Sequence, residues 1–343
     1  MTIVEIDGAF GEGGGQIVRS ALALSLATGK ACSIANIRAG RDKPGLRRQH
    51  LAAVSAAAQV GRAEVEGDRL GSQRLLFAPA TVRPGAYRFV VGSAGSTTLV
   101  LQAVLPALLT ASGPSDLVLE GGTHNPFAPP FDFLDRVLLP ILNRMGPRIR
   151  ARLERPGFYP AGGGLLHVAI EPIPRLAGID LLQRGEIRER RALARVSNLP
   201  LHIAERELSQ VSRALAWDRE CLRSEQVQNA QGPGNVLTLE IRCAGITELF
   251  SGFGRRGVSA EQVAEGVAGQ VRDYLASGAA VGPYLADQLL VPLALAGAGS
   301  FRTVPPTRHT LTNAEVVRKF VDVEFAMTRD DQGLWTVSVR SSA

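Results

Sequence analysis

At 343 residues, 45% hydrophobic and with a mean hydropathy of +0.07, the chain is long enough for two domains and a large core and has the balance of a soluble globular protein. A net charge of +6 and a pI near 9.7, carried by Arg far more than Lys, suit forked recognition of phosphate but equally serve solubility, and aromatics at only 5% argue against a base-stacking platform. Cys32, Cys221 and Cys243 are too few and too scattered for a disulfide framework or a zinc site, the first residues lack a signal-peptide pattern, and the longest apolar run, 99–111, holds Gln102 and Pro106 and is too short to span a bilayer. The expectation is a cytoplasmic enzyme or binding protein with no membrane segment.

In chain order, a strand at 3–7 leads through GEGGGQ into a helix, IVRSALALSLATG, then a strand, CSIANIRAG, and the Arg-rich loop RDKPGLRRQH. A second helix is expected over 46–60, and strands at 62–66 and 74–77 close the unit. The pattern recurs with a strand at 87–91, the turn GSAGST, the helix TLVLQAVLPALLTA, a strand at 116–120, the loop GGTHNPFAPP, the helix FDFLDRVLLPILNRMG and strands at 148–154 and 165–171. A third copy has a helix at 284–296, a glycine turn at Gly297 and Gly299, a strand at 300–304, a helix at 312–320 and strands at 321–327 and 334–340. Helix pairs starting near 15 and 44, 95 and 130, and 283 and 312 imply one unit used three times, each a sheet with two helices.

Residues 185–278 interrupt the third copy and read as a smaller inserted α+β domain. It has a strand at 186–198, a helix at 201–216, strands at 236–244 and 246–250 and a helix at 260–276, with the polar run CLRSEQVQNAQGPGN as a loop or hairpin. The large domain then spans 1–184 and 279–343.

Three stretches carry chemistry. GEGGGQIVRS places clustered glycines before a helix, where backbone N–H groups and the helix dipole favour an anion; it is neither a Walker A loop nor GxGxxG. Glu12 inside it is either a holder of a divalent cation against phosphate or a capping acid. RAGRDKPGLRRQH gathers Arg38, Arg41, Lys43, Arg47, Arg48 and His50, a phosphate clamp or a solvated face; if Pro44 opens the helix, Arg47 and His50 lie near one face. His309 is expected at the exit of a strand, just before a helix capped by Thr312 and Asn313, with Arg308 and threonines around it. His124 is either a second functional imidazole or bonded within its own loop, and glycine-dense GFYPAGGG marks either a close backbone approach or a bulge. With no HExxH, CxxC pair, GxSxG or kinase set, phosphate chemistry without a P-loop is left, for which a neutral imidazole is a good nucleophile.

The residues DGAFGEGGGQIVRSALALS, IRAGRDKPGLRRQHLAAV, LGSQRLLFAP, GSAGSTTLVLQ, GGTHNPFAPP, GFYPAGGG, QGPGN, GPYLADQLLVPLALAGAG and RHTLTN resemble the RNA 3′-terminal phosphate cyclase family over nearly the whole chain. The resemblance implies an α/β (α+β) fold with three βαβαββ-type units and a small inserted domain. It implies ATP-dependent conversion of an RNA 3′-phosphate to a 2′,3′-cyclic phosphodiester: a histidine takes AMP from ATP, passes it to the RNA 3′-phosphate, and the 2′-hydroxyl displaces it. The family's nucleophile falls on His309, its nucleotide contacts on Gln102, Pro129, Tyr284, Leu285, Ala286, Asp287 and Gln288, and its metal-associated acid, for Mg or Mn, on Glu12. Arg19, Arg38, Arg41, Gln49 and His50 match positions linked to the active site or the RNA phosphate. Tyr284, Asp287 and Gln288, at i, i+3 and i+4, share a helix face, and an aromatic ring with Pro129 can sandwich adenine. One departure is Pro156, where the family pattern is basic; Arg155 stands one residue earlier. The expected partner is RNA with a 3′-terminal phosphate, with no protein partner. The alternatives are a cyclase-like ribosome-assembly protein lacking the catalytic histidine and a carboxyvinyl transferase of related fold; His309 opposes the first, and RHTLTN and YLADQ give the second no support.

Overall fold

The computed structural model describes residues 3–92 and 94–342; Ser93 of the GSAGST turn lies outside the described residues. Among the described residues the chain is a mixed α/β protein with four four-stranded sheets. The first contains β1 (Val4–Asp7), β2 (Cys32–Ala35), β3 (Glu64–Glu66) and β4 (Leu75–Ala78) in the order β1-β2-β4-β3, with α1 (Gly15–Thr28) and α2 (Arg48–Gly61) between its strands. β1 pairs parallel to β2, as a helical crossover requires, and the remaining pairs are antiparallel.

The second sheet repeats that order as β5-β6-β8-β7, from β5 (Ala86–Val90), β6 (Ser115–Gly121), β7 (Arg148–Arg155) and β8 (Gly164–Glu171). Its helices are α3 (Thr97–Leu108) and a run made of α4 (Phe131–Phe133), a π-helical turn (Leu134–Leu138) and α5 (Leu139–Arg144).

The third sheet has the same order again. β9 (Asp180–Leu181) pairs parallel to β14 (Ala298–Thr303), which pairs with β16 (Trp335–Ser341), which pairs with β15 (Val323–Arg329). Its helices are α8 (Pro283–Ala296) and α9 (Arg308–Phe320). The first strand of this sheet therefore lies ahead of the long excursion, which separates it from its own first helix. That excursion forms the fourth sheet, β11-β10-β12-β13, from β10 (Ile187–Ser197), β11 (Leu222–Val227), β12 (Gly234–Cys243) and β13 (Thr247–Phe253), with α6 (His202–Leu215) and α7 (Ala260–Ser277) packed on it.

Strands such as SDLVLEG alternate buried and more open residues, so each sheet gives one face to the helices. The helices of the first three sheets then pack on one another. α1 touches α2, α3, α8 and α9, and the residues from Gln16 to Leu26 are buried except Arg19. That near-total burial suits its sequence, apolar on nearly every side and rich in Ala and Ser that allow close approach. One apolar cluster runs through all three sheets, while the fourth has its own around Val211, Leu239, Phe250 and Val267.

Three local expectations are corrected. α2 begins at Arg48, capped by Arg47, so Pro44 stays in the loop and opens no helix. α9 begins at Arg308, because the Thr307 hydroxyl accepts the Thr310 N–H at 3.2 Å; Thr312 and Asn313 are buried inside the helix and bond to other elements. The polar run after Cys221 is partly β11, parallel to β10; its exposed, charged residues are those of a sheet edge, where polarity guards against further pairing.

Candidate active site

The N-termini of α1, α2, α3 and α9 are tied to one another. The Glu12 N–H donates to Thr312 Oγ1 at 3.0 Å, and Arg308 Nη2 donates to the Gly11 carbonyl at 3.0 Å, joining the glycine loop to α9. Gln49, in the first turn of α2, donates to the Ser96 carbonyl at 3.0 Å and accepts the Ser96 N–H at 2.5 Å, joining α2 to the cap of α3. A Cβ at Gly15 would collide with His50 Nε2, so the glycine loop lies directly against α2. Gathered helix N-termini present partial positive charge and free N–H groups, the environment of an anion site.

His309 sits in the first turn of α9 with its side chain 54% exposed. Its Nδ1 is 2.8 Å from Gln16 Oε1, while Gln16 Nε2 donates to Asp287 Oδ1. Asp287 is held in turn by Asn313 Nδ2, which donates to its carbonyl at 3.1 Å and to Oδ1 at 3.2 Å; Ser20 Oγ fixes Asn313 by donating to Oδ1 at 2.7 Å. A carboxylate only accepts, so Asp287 orients the Gln16 amide with its oxygen toward His309. That oxygen accepts a hydrogen bond from Nδ1–H, and the tautomer this selects leaves a lone pair on Nε2. Burial raises the Asp287 carboxyl, and Gln16, His309, Asn313 and Arg19 oppose that rise.

Beside this relay, Arg19 Nε donates to Gln102 Oε1 at 3.3 Å, and Gln102 Nε2 donates to Gln288 Oε1 at 2.5 Å, which links α1, α3 and α8. Burial lowers Arg19 to about 10, against the pull of Asp287 and Glu12, so it stays cationic at neutral pH. Glu12 pairs with Arg41, and its Oε2 lies 4.0 Å from His309 Nδ1. Tyr284, on the first turn of α8, has a ring exposed to solvent, and Thr98 Oγ1 fixes Pro129 by donating to its carbonyl at 2.7 Å. Leu285 and Ala286 are buried in the core, and their side chains do not join the cluster.

The basic loop divides by role. Arg38 has a left-handed backbone (φ 54°) and a buried Nε without a hydrogen-bond partner among the described residues. Desolvation and then the neighbouring Arg41 and Arg47 lower its pKa, which an incoming anion would reverse. Burial, then Arg19, Arg38 and Arg47, push His50 down to about 3, so the ring is neutral. Its Nδ1 accepts the Arg47 N–H at 3.0 Å; Nε2 therefore carries the proton and points at the glycine loop as a donor. Gln49 is spent on holding the α3 cap.

His124 is bonded within its own unit. It is 1% exposed, with Nδ1 2.8 Å from Thr123 Oγ1 and Nε2 3.0 Å from Asp132 Oδ2, and it stacks on Phe158. The GFYPAGGG stretch makes close backbone approaches, since a Cβ at Gly164 would meet the Gly157 nitrogen at 2.7 Å and the Gly121 oxygen at 2.8 Å. A bulge is also present in the strand before it, where the register shifts between Leu153 and Arg155. Arg155 Nε donates to the Gly163 carbonyl at 2.6 Å, so it bonds the loop itself.

Sequence reasoning missed Gln16, Asn313 and Ser20 as parts of the site. The available signal was spacing: Gln16, Arg19 and Ser20 stand at i, i+3 and i+4 just after the glycine loop, hence on one face of α1. Among the described residues no group of three or more His, Cys, Asp or Glu side chains could cage a metal ion, and no helix is long and apolar enough to cross a membrane.

The sequence profile described as RNA 3′-terminal phosphate cyclase matches residues 10–327. A protein of that name from Koribacter versatilis is 50% identical over 331 residues, 96% of this chain and 93% of that protein. Another of that name, from Ectopseudomonas mendocina, is 50% identical over 337 residues, 98% of each chain. Among solved structures, an EPSP synthase from Acinetobacter baumannii matches at 12% identity with a TM-score of 0.23, covering 63% of this chain and 55% of that one, too weak a likeness to carry an argument. On sequence identity spread over almost its full length, the chain belongs to the RNA 3′-terminal phosphate cyclase family.

Proposed function

We propose that the chain is an ATP-dependent RNA 3′-terminal phosphate cyclase working through a covalent histidine–AMP adduct on His309. The observation that carries the reading is the Asp287–Gln16–His309 relay, which holds a half-exposed imidazole in the tautomer whose Nε2 is nucleophilic.

In this reading His309 Nε2 attacks the α-phosphorus of ATP. The N–P bond forms as the bond to the bridging oxygen breaks, and pyrophosphate leaves with that electron pair. An oxygen of the RNA 3′-phosphate then attacks the same phosphorus, and the N–P pair returns to Nε2. The neighbouring 2′-hydroxyl attacks the 3′-phosphorus, its proton passes to solvent, and AMP departs from the 2′,3′-cyclic phosphodiester.

Tyr284 and Pro129 serve as walls for adenine, with Gln102 and Gln288 as amide contacts beside them. Arg19 supplies a desolvated positive charge, whose field acts more strongly than in water. Arg38, Arg41 and the Nε2–H of His50 face the RNA phosphate, with the unpartnered Arg38 Nε as the strongest pointer to an anion there. Glu12 fits a divalent cation that arrives with the phosphates. Mg²⁺ keeps most of its water and takes one or two carboxylates plus phosphate oxygens, so a single carboxylate is enough. Bound there, the cation would offset charge as pyrophosphate leaves.

The same reading covers the architecture. Three sheets of one strand order are copies of a βαβαββ unit over 1–184 and 279–343, supported by their shared apolar cluster, and 185–278 is an inserted domain with its own sheet and cluster.

The test is incubation with α-³²P-labelled ATP and Mg or Mn, without RNA. Acid-labile, hydroxylamine-tolerant label on the protein is expected, discharged by an oligoribonucleotide with a 3′-phosphate but not by one with a 3′-hydroxyl. No label with either metal would sink the reading and turn the function toward non-catalytic RNA binding.

A further inference from the structure

Among the ties between the fourth sheet and the rest of the chain, which include Arg136 with Glu240 and Arg144 with the Gly245 carbonyl, two lie behind the proposed walls of the ATP pocket. The first is the start of α8. Glu248, on β13 and 2% exposed, accepts the Gly282 N–H at 2.5 Å. Gly282 is the residue that caps α8, and the helix it opens carries Tyr284 in its first turn and Asp287 and Gln288 in its second. Just before it, Tyr274 Oη, on α7, donates to the Ala280 carbonyl at 3.0 Å.

The second place is the loop that ends in Pro129. Arg195, on β10, reaches Asp132 Oδ1 at 2.6 Å, and the other oxygen of Asp132 is 3.0 Å from His124 Nε2. Thr123, next to His124, accepts the Phe131 N–H on its carbonyl at 3.0 Å, which closes the loop on itself. Burial alone would raise the Asp132 carboxyl; His124 and Arg195 overcome that and hold it far below the usual carboxylate range. Inside the large domain, α3 already joins the two walls, through Gln102 to Gln288 and through Thr98 to Pro129. The inserted domain supplies a second, independent tie to each.

We propose that the inserted domain is a brace for the ATP pocket, in which Glu248 and Arg195 are positioning residues that fix the first turn of α8 and the Pro129 loop at the separation adenine requires. The proposal rests on the functional reading above. A planar base held between two side chains from different elements gains little unless both are fixed before it binds, because ordering them on binding costs affinity. Neither residue is placed to meet the reacting phosphorus, so loss of either should weaken ATP binding and spare the chemical step.

The experiment measures the rate of self-adenylylation of the full chain against ATP concentration, then discharge of the adduct by an oligoribonucleotide with a 3′-phosphate. Glu248→Met is expected to raise the ATP concentration for half-maximal rate about tenfold. The saturating rate and the half-saturating RNA concentration should stay within about twofold. Glu248→Gln should restore wild-type behaviour, since burial pushes the Glu248 carboxyl up to about 8 and the neutral amide reproduces the acceptor. Tyr274→Phe, which removes one hydroxyl, covers the case in which Glu248→Met does not fold; about a twofold rise for ATP is expected. Arg195→Lys should fall between wild type and Glu248→Met.

Unchanged half-saturation in Glu248→Met, or in Tyr274→Phe where Glu248→Met does not fold, overturns the brace. So does an equal loss for ATP and RNA that tracks thermal stability. A wild-type chain that takes no label from ATP is a different failure: it removes the functional reading, and the brace with it.

Discussion

Two histidines near loop–helix junctions, His309 and His124, have opposite surroundings. His124 has a fully buried side chain, with Thr123 at one ring nitrogen and Asp132 at the other. His309 is 54% exposed, with Nδ1 against the neutral Gln16 oxygen and the Glu12 carboxylate at a long 4.0 Å. An imidazole with both nitrogens engaged and no solvent access is a structural cross-link. One with a single nitrogen pinned by an amide is directed and still free to react. Residue type is the same in the two; the difference is what each second nitrogen meets.

The comparison breaks most sharply at His309 itself. His309→Ala should lower adenylylation by at least about a thousandfold while the melting temperature barely moves, since a half-exposed side chain contributes little packing. An acid-labile AMP adduct at the wild-type level in that variant would reverse the assignment. The opposite response is expected at the buried pair. Asp132→Ala leaves Arg195 without its buried partner and should cost about 3 kcal/mol of stability, read as a lower midpoint in urea. A midpoint shift under about 0.5 kcal/mol would mean that the network carries no structural load.

Gln16→Met tests the directing amide. It keeps the volume and loses the acceptor for the Nδ1 proton, so adenylylation at neutral pH should slow about tenfold with the His309 adduct still formed. An unchanged rate would show that the tautomer needs no such partner.

An effect on the pH dependence of stability concerns His50, whose pKa falls from 6.5 to about 3 on folding. Between those values the unfolded chain binds more protons than the folded one, so His50 makes stability fall as pH drops through 6.5 toward 3, by on the order of 1 kcal/mol per pH unit at most. His50→Asn should give a flatter dependence than wild type in that window, measured as the difference between the two urea-midpoint profiles. Taking the difference isolates His50 from Glu248. That carboxyl rises from 4.5 to about 8 on folding, so its contribution is present below 4.5 and is lost as pH rises through 8.

Much of this was legible in order along the chain. The helix and strand sequence of the first two units, that of the third from its first helix onward, the glycine loop and the basic loop follow from periodicity and turn chemistry, because these are contacts between near neighbours. The start of α9 was not, since Thr307 and Thr312–Asn313 are equally good caps by composition, and only the tertiary bonds of Thr312 and Asn313 remove them from that role. β11 was missed because an edge strand lacks the alternating apolar pattern that signals a strand. β9 was missed because two residues carry no period at all, and their partner β14 lies beyond the whole inserted sheet.

By itself the sequence determined the layered α/β plan and the likeness of three segments. Only the tertiary structure decided that Gln16 from α1, Asp287 from α8 and His309 from α9 meet, and that Leu285 and Ala286 turn into the core instead. The physical reason is distance along the chain. Local hydrogen bonds and periodicity are written in neighbouring residues, whereas the partner of a side chain nearly three hundred positions away is chosen by how helices pack around α1.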